Sequence, residues 1–505
     1  MREPHATMPS LDQLRQQLTA IGQEHVLAFW PTLNQAHKDA LLAQLASIDL
    51  AQVPAWVSTY VLGKPAPSAA GAIEPAACYA LTGPWDRAKY KAVGTHLIQR
   101  GKVAAFTVAG GQGTRLGSDA PKGCYPAGAV SNRPLFACLA DWIIAAQRRY
   151  CPPEVTIPWY IMTSPINHEP TVRFFREHAF FGLREGDIMF FPQGVLPSFD
   201  LATGKLLLDQ PHQLAVNPDG HGGSLKALAS SGALADMHRR GVEQLSYTQI
   251  DNPLVRVIDP TFIGLHAAAP DSSGQMSSKM VPKAGPDEKV GVLCRVGGPH
   301  GPTTQVIEYS DMPAALSQAR DGQGGLRFNA GSIAIHVIST KFIGTLAGPQ
   351  GSGAARGSDA GGGGGAVGSA GFGLPLHRAE KKVPYVDLAT GKRVEPDKAN
   401  AVKLEMFVFD ALPLCERSIV LETDRLEEFA PIKNASGADS PQTCRQIQTQ
   451  RAARWLVTAG LGAAVPRDAA GEPACTLELP PTTALEPDDL RGRTVTIVAG
   501  GRVVL

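Results

Sequence analysis

The stretch "TVAGGQGTRLGSDAPKG", Thr107–Gly123, decides how this chain is read. It holds five glycines in seventeen residues, with one arginine and one lysine, and it overlaps the end of the apolar run "VAAFTVA" at 103–109. An apolar run without polar alternation suits a strand buried on both faces. A glycine-rich turn after such a strand lets backbone N–H groups approach anionic oxygens, and Arg115 and Lys122 would neutralise charge there. Two common phosphate loops do not fit. The dinucleotide spacing G-x-G-x-x-G, started at Gly111, meets Gly113 and then Leu116, so Gly117 falls one residue late. The Walker spacing needs Lys-Ser or Lys-Thr closing the loop, and here Lys122 lies well past it and precedes Gly123. By itself the loop is a cradle for anionic oxygens or a tight turn.

Working outward, runs like "VAAFTVA" recur at "WYIMTS" (159–164), "IMFFPQ" (188–193) and "LSYTQID" (245–251). Helical patterns lie between them. Pro134 precedes a stripe of Leu135, Leu139, Ile143 and Ala146, and Ser224 opens a pattern running to about Arg239. Alternating strands and helices predict an α/β fold with a Rossmann-like, mixed but mostly parallel sheet, whose ligands bind beyond the carboxyl ends of the strands. Upstream, Ser10 with Gln13 forms a capping-box pattern before Leu11, Leu14, Leu18 and Ile21, and Leu41, Leu42 and Leu45 mark a second helix. The division expected is a mainly helical region at 1–100, a catalytic domain at 101–410 and a small β-containing C-terminal domain at 411–505. The last opens with a helix at Ser440-Pro441 and ends in short strands at "TVTIVAG" and "RVVL", read as a hairpin around Gly500-Gly501. The Gly/Ala/Ser-rich segment 347–373 is expected to be a flexible surface insertion.

Composition narrows the function. The chain has 505 residues, with 47 basic and 46 acidic side chains and a net charge of +1. That balance argues against a generic nucleic-acid or membrane binder, while a small anionic substrate needs only a local group of cations. No apolar run reaches the ~18 residues of a membrane span, and the polar N-terminus does not read as a secretory signal. The eight cysteines form no CxxC pair and no zinc spacing, which suits reduced thiols in a cytoplasmic protein.

The whole string is more specific than its parts. "AGGQGTRLG" followed by "PKG" resembles the G-G-x-G-T-R-L…P-K signature of sugar-nucleotide pyrophosphorylases, and above all the UDP-N-acetylhexosamine pyrophosphorylase family with its UDP-sugar pyrophosphorylase relatives. The likeness continues in order through "WYIMTS", "FFREHAFFGL", "FFPQGVLPSFD", "NPDGHGG", "DNPLVRVIDPTFIG", "VGVLCRVGG", "VIEYSD", "FNAGSIAIH", "KKVPYVD", "VKLEMFVFD" and "FAPIKNA", over about residues 80–460. It implies a nucleotidyltransferase core of the GT-A-like type. The reaction would join UTP to a sugar 1-phosphate and release pyrophosphate. The nucleophile is already an anion, so the chemistry asks for positioning and electrostatic stabilisation and not for a general base. An NAD oxidoreductase is disfavoured by the displaced third glycine. A catalytically dead sensor would have lost Arg115, Lys122 or Asp251, and all are present.

The resemblance implies roles residue by residue. Val108, Ala109, Gly110 and Gly111 would hold UTP with their backbone. Arg115 would face the departing pyrophosphate, Lys122 the α-phosphate, and Lys403 the nucleotide phosphates. Gln193 matches a uracil-reading glutamine, since an amide both donates and accepts. Gly220 matches a glycine beside the base. Asp251 ends a strand, where a carboxylate suits a hydrated Mg²⁺ beside phosphates. The sugar side falls to His221, Glu308, Tyr309, Asn329 and Gly331, and Lys381 and Lys433 are further phosphate contacts. Two positions depart from the family pattern: "PDGNGG" is "PDGHGG" here, and "NAGN" is "NAGS" with Ser332. Both fall where a polar pocket would choose its sugar. N-acetylglucosamine 1-phosphate is expected, with glucose 1-phosphate or a broad sugar range as the alternative. No nucleic-acid or membrane partner is expected, and the enzyme is read as a monomer or homodimer.

Overall fold

The computed structural model describes residues 10–63, 71–299, 301–347 and 372–505. The glycine-rich insertion expected at 347–373 therefore falls almost wholly outside the described residues. The chain divides into two compact units. One comprises residues 1–68, 193–226 and 345–410, and the other comprises 69–192, 227–344 and 411–505.

The larger unit is built on a ten-stranded mixed sheet. Its central path runs Ile73–Pro75, Val292–Val296, Ala330–Ser339, Gln244–Gln249, Val103–Val108, Trp159–Thr163, Ile188–Pro192. The four runs picked out by their apolar texture are neighbours and pair in parallel. The antiparallel half starts at Ala330–Ser339, which pairs with Gln244–Gln249 and with Met276–Pro282. Met276–Pro282 in turn runs parallel to Val420–Glu422.

Burial explains the texture. Val103, Ala104, Ala105 and Phe106 are at most 1% exposed, as expected for a strand covered on both faces. The helix Leu135–Tyr150 buries Leu135, Leu139, Ile143 and Ala146, and Arg148 and Arg149 in its last turn oppose the helix dipole. Phe136 on this helix meets Phe175 edge-on at 4.8 Å. Helices Arg87–Gln99 and Pro260–Ala268 touch backbone to backbone. A Cβ at Gly94 would lie 1.8 Å from the Pro260 carbonyl oxygen, and one at Gly264 would lie 1.8 Å from that of Tyr90, so both positions require glycine.

Two expectations need correction. The pattern from Ser224 to Arg239 forms two helices, Gly223–Ser230 and Ala233–Arg240, because Gly232 at φ +85° breaks the run. The C-terminal hairpin does not form either. Residues 494–500 make no strand, and Arg502–Val504 pairs in parallel with Thr476–Glu478. The helix starting at Ser440-Pro441 is present as Pro441–Thr458, with Ser440 and Thr443 in a capping box. All eight cysteines are unpaired.

The smaller unit begins with the expected helices. Leu11–Ala20 has the Ser10/Gln13 capping box and buries Leu14 and Leu18, and Gln35–Ala46 buries Leu41 and Leu45. Its three-stranded sheet runs His377–Lys381, Ala401–Glu405, Phe199–Asp200, antiparallel throughout. The buried Gln23 fastens the helical part to the turn before Leu206, donating to the Gly204 carbonyl at 3.1 Å and accepting from the Leu206 N–H at 2.8 Å. No single helix among the described residues is long and apolar enough to cross a membrane.

Candidate active site

In the larger unit, the glycine loop leaves the carboxyl end of the central strand and closes on itself. The Lys122 N–H donates to the Gly111 carbonyl at 3.1 Å, and the Gly113 N–H donates to that of Ala120 at 3.0 Å. Between these ties, Thr114–Leu116 forms one 3₁₀ turn that ends on Gly117 in the left-handed region, φ +73°. Val108 and Ala109 enter the loop, and the Ala109 N–H is bound to the Met162 carbonyl at 2.7 Å. Arg115 stands exposed at the tip and makes no ion pair among the described residues. Lys122 sits at the base, where Gly123 lets the chain pass the ring of Phe136: a Cβ there would be 2.1 Å from it.

Lys122 and Asp251 are brought together. Asp251 follows the strand Gln244–Gln249, which lies beside Val103–Val108 and runs the same way. Lys122 Nζ reaches Asp251 Oδ2 at 3.2 Å, with the two side chains 16% and 13% exposed. No group of three or more His, Cys, Asp or Glu placed to hold a metal ion occurs among the described residues. A single strand-end carboxylate fits Mg²⁺, which takes one or two protein carboxylates and draws its other ligands from water and phosphate.

The loop has a brace that the sequence reading passed over. Asn167, wholly buried after the strand Trp159–Thr163, donates through Nδ2 to the carbonyls of Ala109 at 3.0 Å and Gly111 at 3.2 Å. Its Oδ1 accepts from the Ser164 N–H at 2.7 Å. Every bond goes to backbone, and the only trace in the sequence is an asparagine shortly after a strand.

The other candidates of this unit lie towards the antiparallel half. Glu308 and Tyr309 follow the strand Thr303–Ile307, and Tyr309 is half exposed. Asn329 is exposed just before Ala330–Ser339, and its carbonyl accepts from the N–H groups of Lys283 and Gly331, each at 2.9 Å. Gly331 would bring a Cβ within 3.0 Å of the Val281 carbonyl oxygen. Lys433 pairs with Asp439 at 3.5 Å and lies over the Phe429 ring. Lys433, Asp251 and Ser332 line one small cavity.

The smaller unit carries Gln193, Gly220, His221, Lys381 and Lys403. Gln193 is 8% exposed. Gly220 has φ +86°, and a Cβ on it would meet the Met406 carbonyl oxygen at 2.3 Å. Lys403 stands opposite Ala379 and Lys381 opposite Ala401, so the two lysines share one face of the small sheet. Burial, together with the charge of Lys381, pulls the Lys403 ammonium below its ordinary range against the opposing effect of Glu405.

His221 is set in an aromatic cluster, stacked on Phe407 at 5.2 Å and tilted to Phe409 at 5.5 Å. The Val408 N–H donates to His221 Nδ1 at 3.1 Å. A backbone N–H can only donate, so Nδ1 accepts and the ring proton resides on Nε2. Burial first, and then the neighbouring His377, pushes this imidazole down to about 4. His221 is therefore an uncharged ring with one N–H on its free edge, where an asparagine would offer a donor and an acceptor. Asp219, two residues earlier, is 2% exposed, and its Oδ1 has no hydrogen-bond partner among the described residues. Its carboxyl occupies the space a side chain would need at Gly194 and Gly223, with Cβ positions 2.5 and 2.0 Å from its oxygens. Burial raises it to about 6 against the opposing charge of Lys226.

Parallel strands that end in a self-closed glycine loop, with a lysine set against a strand-end aspartate, define an α/β protein that handles nucleotide phosphates. Residues 86–345 match the family model described as UTP--glucose-1-phosphate uridylyltransferase, and the chain belongs to that family. It is 35% identical to UDP-N-acetylglucosamine diphosphorylase 2 of Arabidopsis thaliana, over 95% of this chain and 92% of that one. It is 33% identical to UDP-N-acetylglucosamine pyrophosphorylase of Saccharomyces cerevisiae, over 87% and 90%. The crystal structure of the uridine diphosphate N-acetylglucosamine pyrophosphorylase from Trypanosoma brucei, in complex with inhibitor, is similar with a TM-score of 0.76 and 25% identity, covering 97% of this chain and 95% of that one.

Proposed function

We propose that this chain joins UTP to N-acetylglucosamine 1-phosphate, forming UDP-N-acetylglucosamine and pyrophosphate. The observation that carries the reading is the Lys122–Asp251 pair at 3.2 Å, beyond the ends of two adjacent parallel strands and at the base of the glycine loop. The names of the relatives, similar over most of their length, support the choice of sugar.

In this reading a phosphate oxygen of the sugar 1-phosphate attacks the α-phosphorus of UTP. A new P–O bond forms, the bond to the β-phosphate oxygen breaks, and pyrophosphate carries the electron pair away. No proton needs to be removed from the nucleophile. The protein's work is to hold two polyanions together and offset the charge that develops. Lys122 takes the α-phosphate and Arg115 the departing pyrophosphate. Val108, Ala109, Gly110 and Gly111 present backbone to the nucleotide, and Gln193 and Gly220 serve the base. Lys403, Lys381 and Lys433 add positive charge for the phosphates. Asp251 would hold Mg²⁺, which would supply positive charge against the charge that develops on the phosphates. His221, Glu308, Tyr309, Asn329 and Gly331 form the sugar side. The enzyme is placed in the cytoplasm, as a monomer or homodimer.

Pyrophosphate release measured with UTP and Mg²⁺ against a panel of sugar 1-phosphates tests this. Release with N-acetylglucosamine 1-phosphate is expected to be fastest. Absence of release with every sugar would overturn the activity, and a preference for glucose 1-phosphate would overturn the substrate.

A further inference from the structure

We infer that Asn252 is a positioning residue, whose carboxamide fixes Asp251 and Lys433 across one small cavity through backbone bonds and without touching substrate. The inference rests on the proposed uridylyl transfer. Asp251, Lys433, Ser332 and Phe429 line a cavity of about 70 Å³ in the larger unit. Asp251 stands on the turn after Gln244–Gln249, and Lys433 on the extended strap after the short helix Arg425–Glu428. These segments are far apart in sequence, and Asn252 joins them. It is 5% exposed. Its Nδ2 donates to the Glu428 carbonyl at 2.5 Å, and its Oδ1 accepts from the N–H groups of Ala430 at 3.1 Å and Leu254 at 3.2 Å. The Asp251 carbonyl completes the seam by accepting from the Ile432 N–H at 2.8 Å.

This pattern dictates the residue. One donor and two acceptor positions are used, which an amide supplies and a carboxylate does not. An aspartate would set its charge against the Glu428 carbonyl, and an alanine would leave three buried backbone groups to find other partners. All of the amide's bonds run to the two segments it joins.

The strap is held a second time, by charge. Lys279, 1% exposed, donates to both carboxylate oxygens of Glu428 at 2.7 Å and to Asp259 Oδ2 at 2.6 Å. The Arg256 N–H adds a bond to Glu428 Oε1 at 3.3 Å. The Glu428 side chain thus anchors the strap, while its main-chain carbonyl, read by Asn252, sets the register of the strap against the Asp251 turn. The two contributions can be separated by mutation.

The test compares Asn252→Asp with Glu428→Gln, measuring kcat, KM for UTP and thermal unfolding. Glu428→Gln keeps the carbonyl that Asn252 binds. Asn252→Asp is expected to lower kcat per folded enzyme at least fivefold, with a smaller proportional change in KM for UTP. Glu428→Gln is expected to lower Tm with kcat changed less than fivefold. A kcat loss below fivefold in Asn252→Asp, a KM change larger than the kcat change, or an equal kcat loss in Glu428→Gln overturns the inference. If Asn252→Asp does not fold, Asn252→Ser, which keeps a shorter donor and acceptor, is held to the same fivefold threshold. A wild-type chain with no UTP-dependent activity overturns the proposed function instead.

Discussion

Lys122→Ala is expected to lower kcat/KM for UTP by about 10²–10³, equivalent to ~3–4 kcal/mol of transition-state stabilisation. The pair it destroys has an N–O distance of 3.2 Å, with both side chains mostly screened from water. At an effective dielectric of ~20, the Coulomb attraction at that distance is about 5 kcal/mol. That figure is not the cost to catalysis, because arriving phosphates compete for the lysine and weaken the resting pair in the native enzyme too. On the proposed function the variant loses a preorganised cation at the α-phosphate, and removal of one such donor costs about 2.7–4 kcal/mol. The Asp251 carboxylate then faces the polyphosphate without its partner, which moves the expected loss to the upper end. Asp251→Asn and the double variant complete a cycle: if the two side chains act as a unit, the double variant loses less than the sum of the single losses. The assay is pyrophosphate release at saturating sugar 1-phosphate, with folding checked by circular dichroism. A well-folded Lys122→Ala enzyme within tenfold of wild type would refute the assignment.

Three other outcomes are expected. Gly123→Ala sets a methyl 2.1 Å from Phe136, so unfolding should show about 1–3 kcal/mol of overpacking, partly relieved by Phe136→Leu; an unchanged Tm contradicts the packing. Asp219 is raised from its ordinary 3.8 to about 6 in the fold, so the stability linked to it is full below pH 4 and is lost as pH rises through 6, a loss of about 3 kcal/mol. Asp219→Asn should then raise Tm at pH 8 with little effect at pH 4, and a gain independent of pH would sink this account. His221, held near 4, stays uncharged from pH 6 to 8; the ratio of kcat/KM for N-acetylglucosamine and glucose 1-phosphates should be flat over that range and should shift at least fivefold in His221→Asn.

The parallel half of the sheet was legible because each strand is covered on both faces, which writes an unbroken apolar run into the sequence. The helix at Leu135 was legible for the complementary reason, a one-sided stripe behind a proline. Long-range pairing leaves no such local mark. "RVVL" reads as the second arm of a hairpin, yet it pairs with Thr476–Glu478, a choice set by which strand lies beside it. The pattern from Ser224 to Arg239 reads as one helix, and the break comes from the φ of +85° at Gly232, which the apolar spacing does not record. At the candidate site, Lys122 and Asp251 were singled out through the motifs that hold them, and the structure brings the two side chains together. Asn167, Asn252 and Asp219 were missed because each works inward, on backbone or on the space beside glycines, and an interior amide or carboxyl looks like any other polar residue in a sequence.

The two ties across the base of the glycine loop divide its cations by their freedom before a ligand arrives. Lys122 is at the ties and already in an ion pair, so most of its orientation is settled when the chain folds. Arg115 is beyond them, exposed, and must surrender its rotamers to each phosphate it meets, at a cost of about 2 kcal/mol. That entropic cost grows with temperature, whereas the orientation of Lys122 does not have to be established anew. On the proposed function, warming should therefore loosen the hold of the loop's tip on pyrophosphate sooner than it disturbs the base, giving one short segment a fixed end and a temperature-sensitive end.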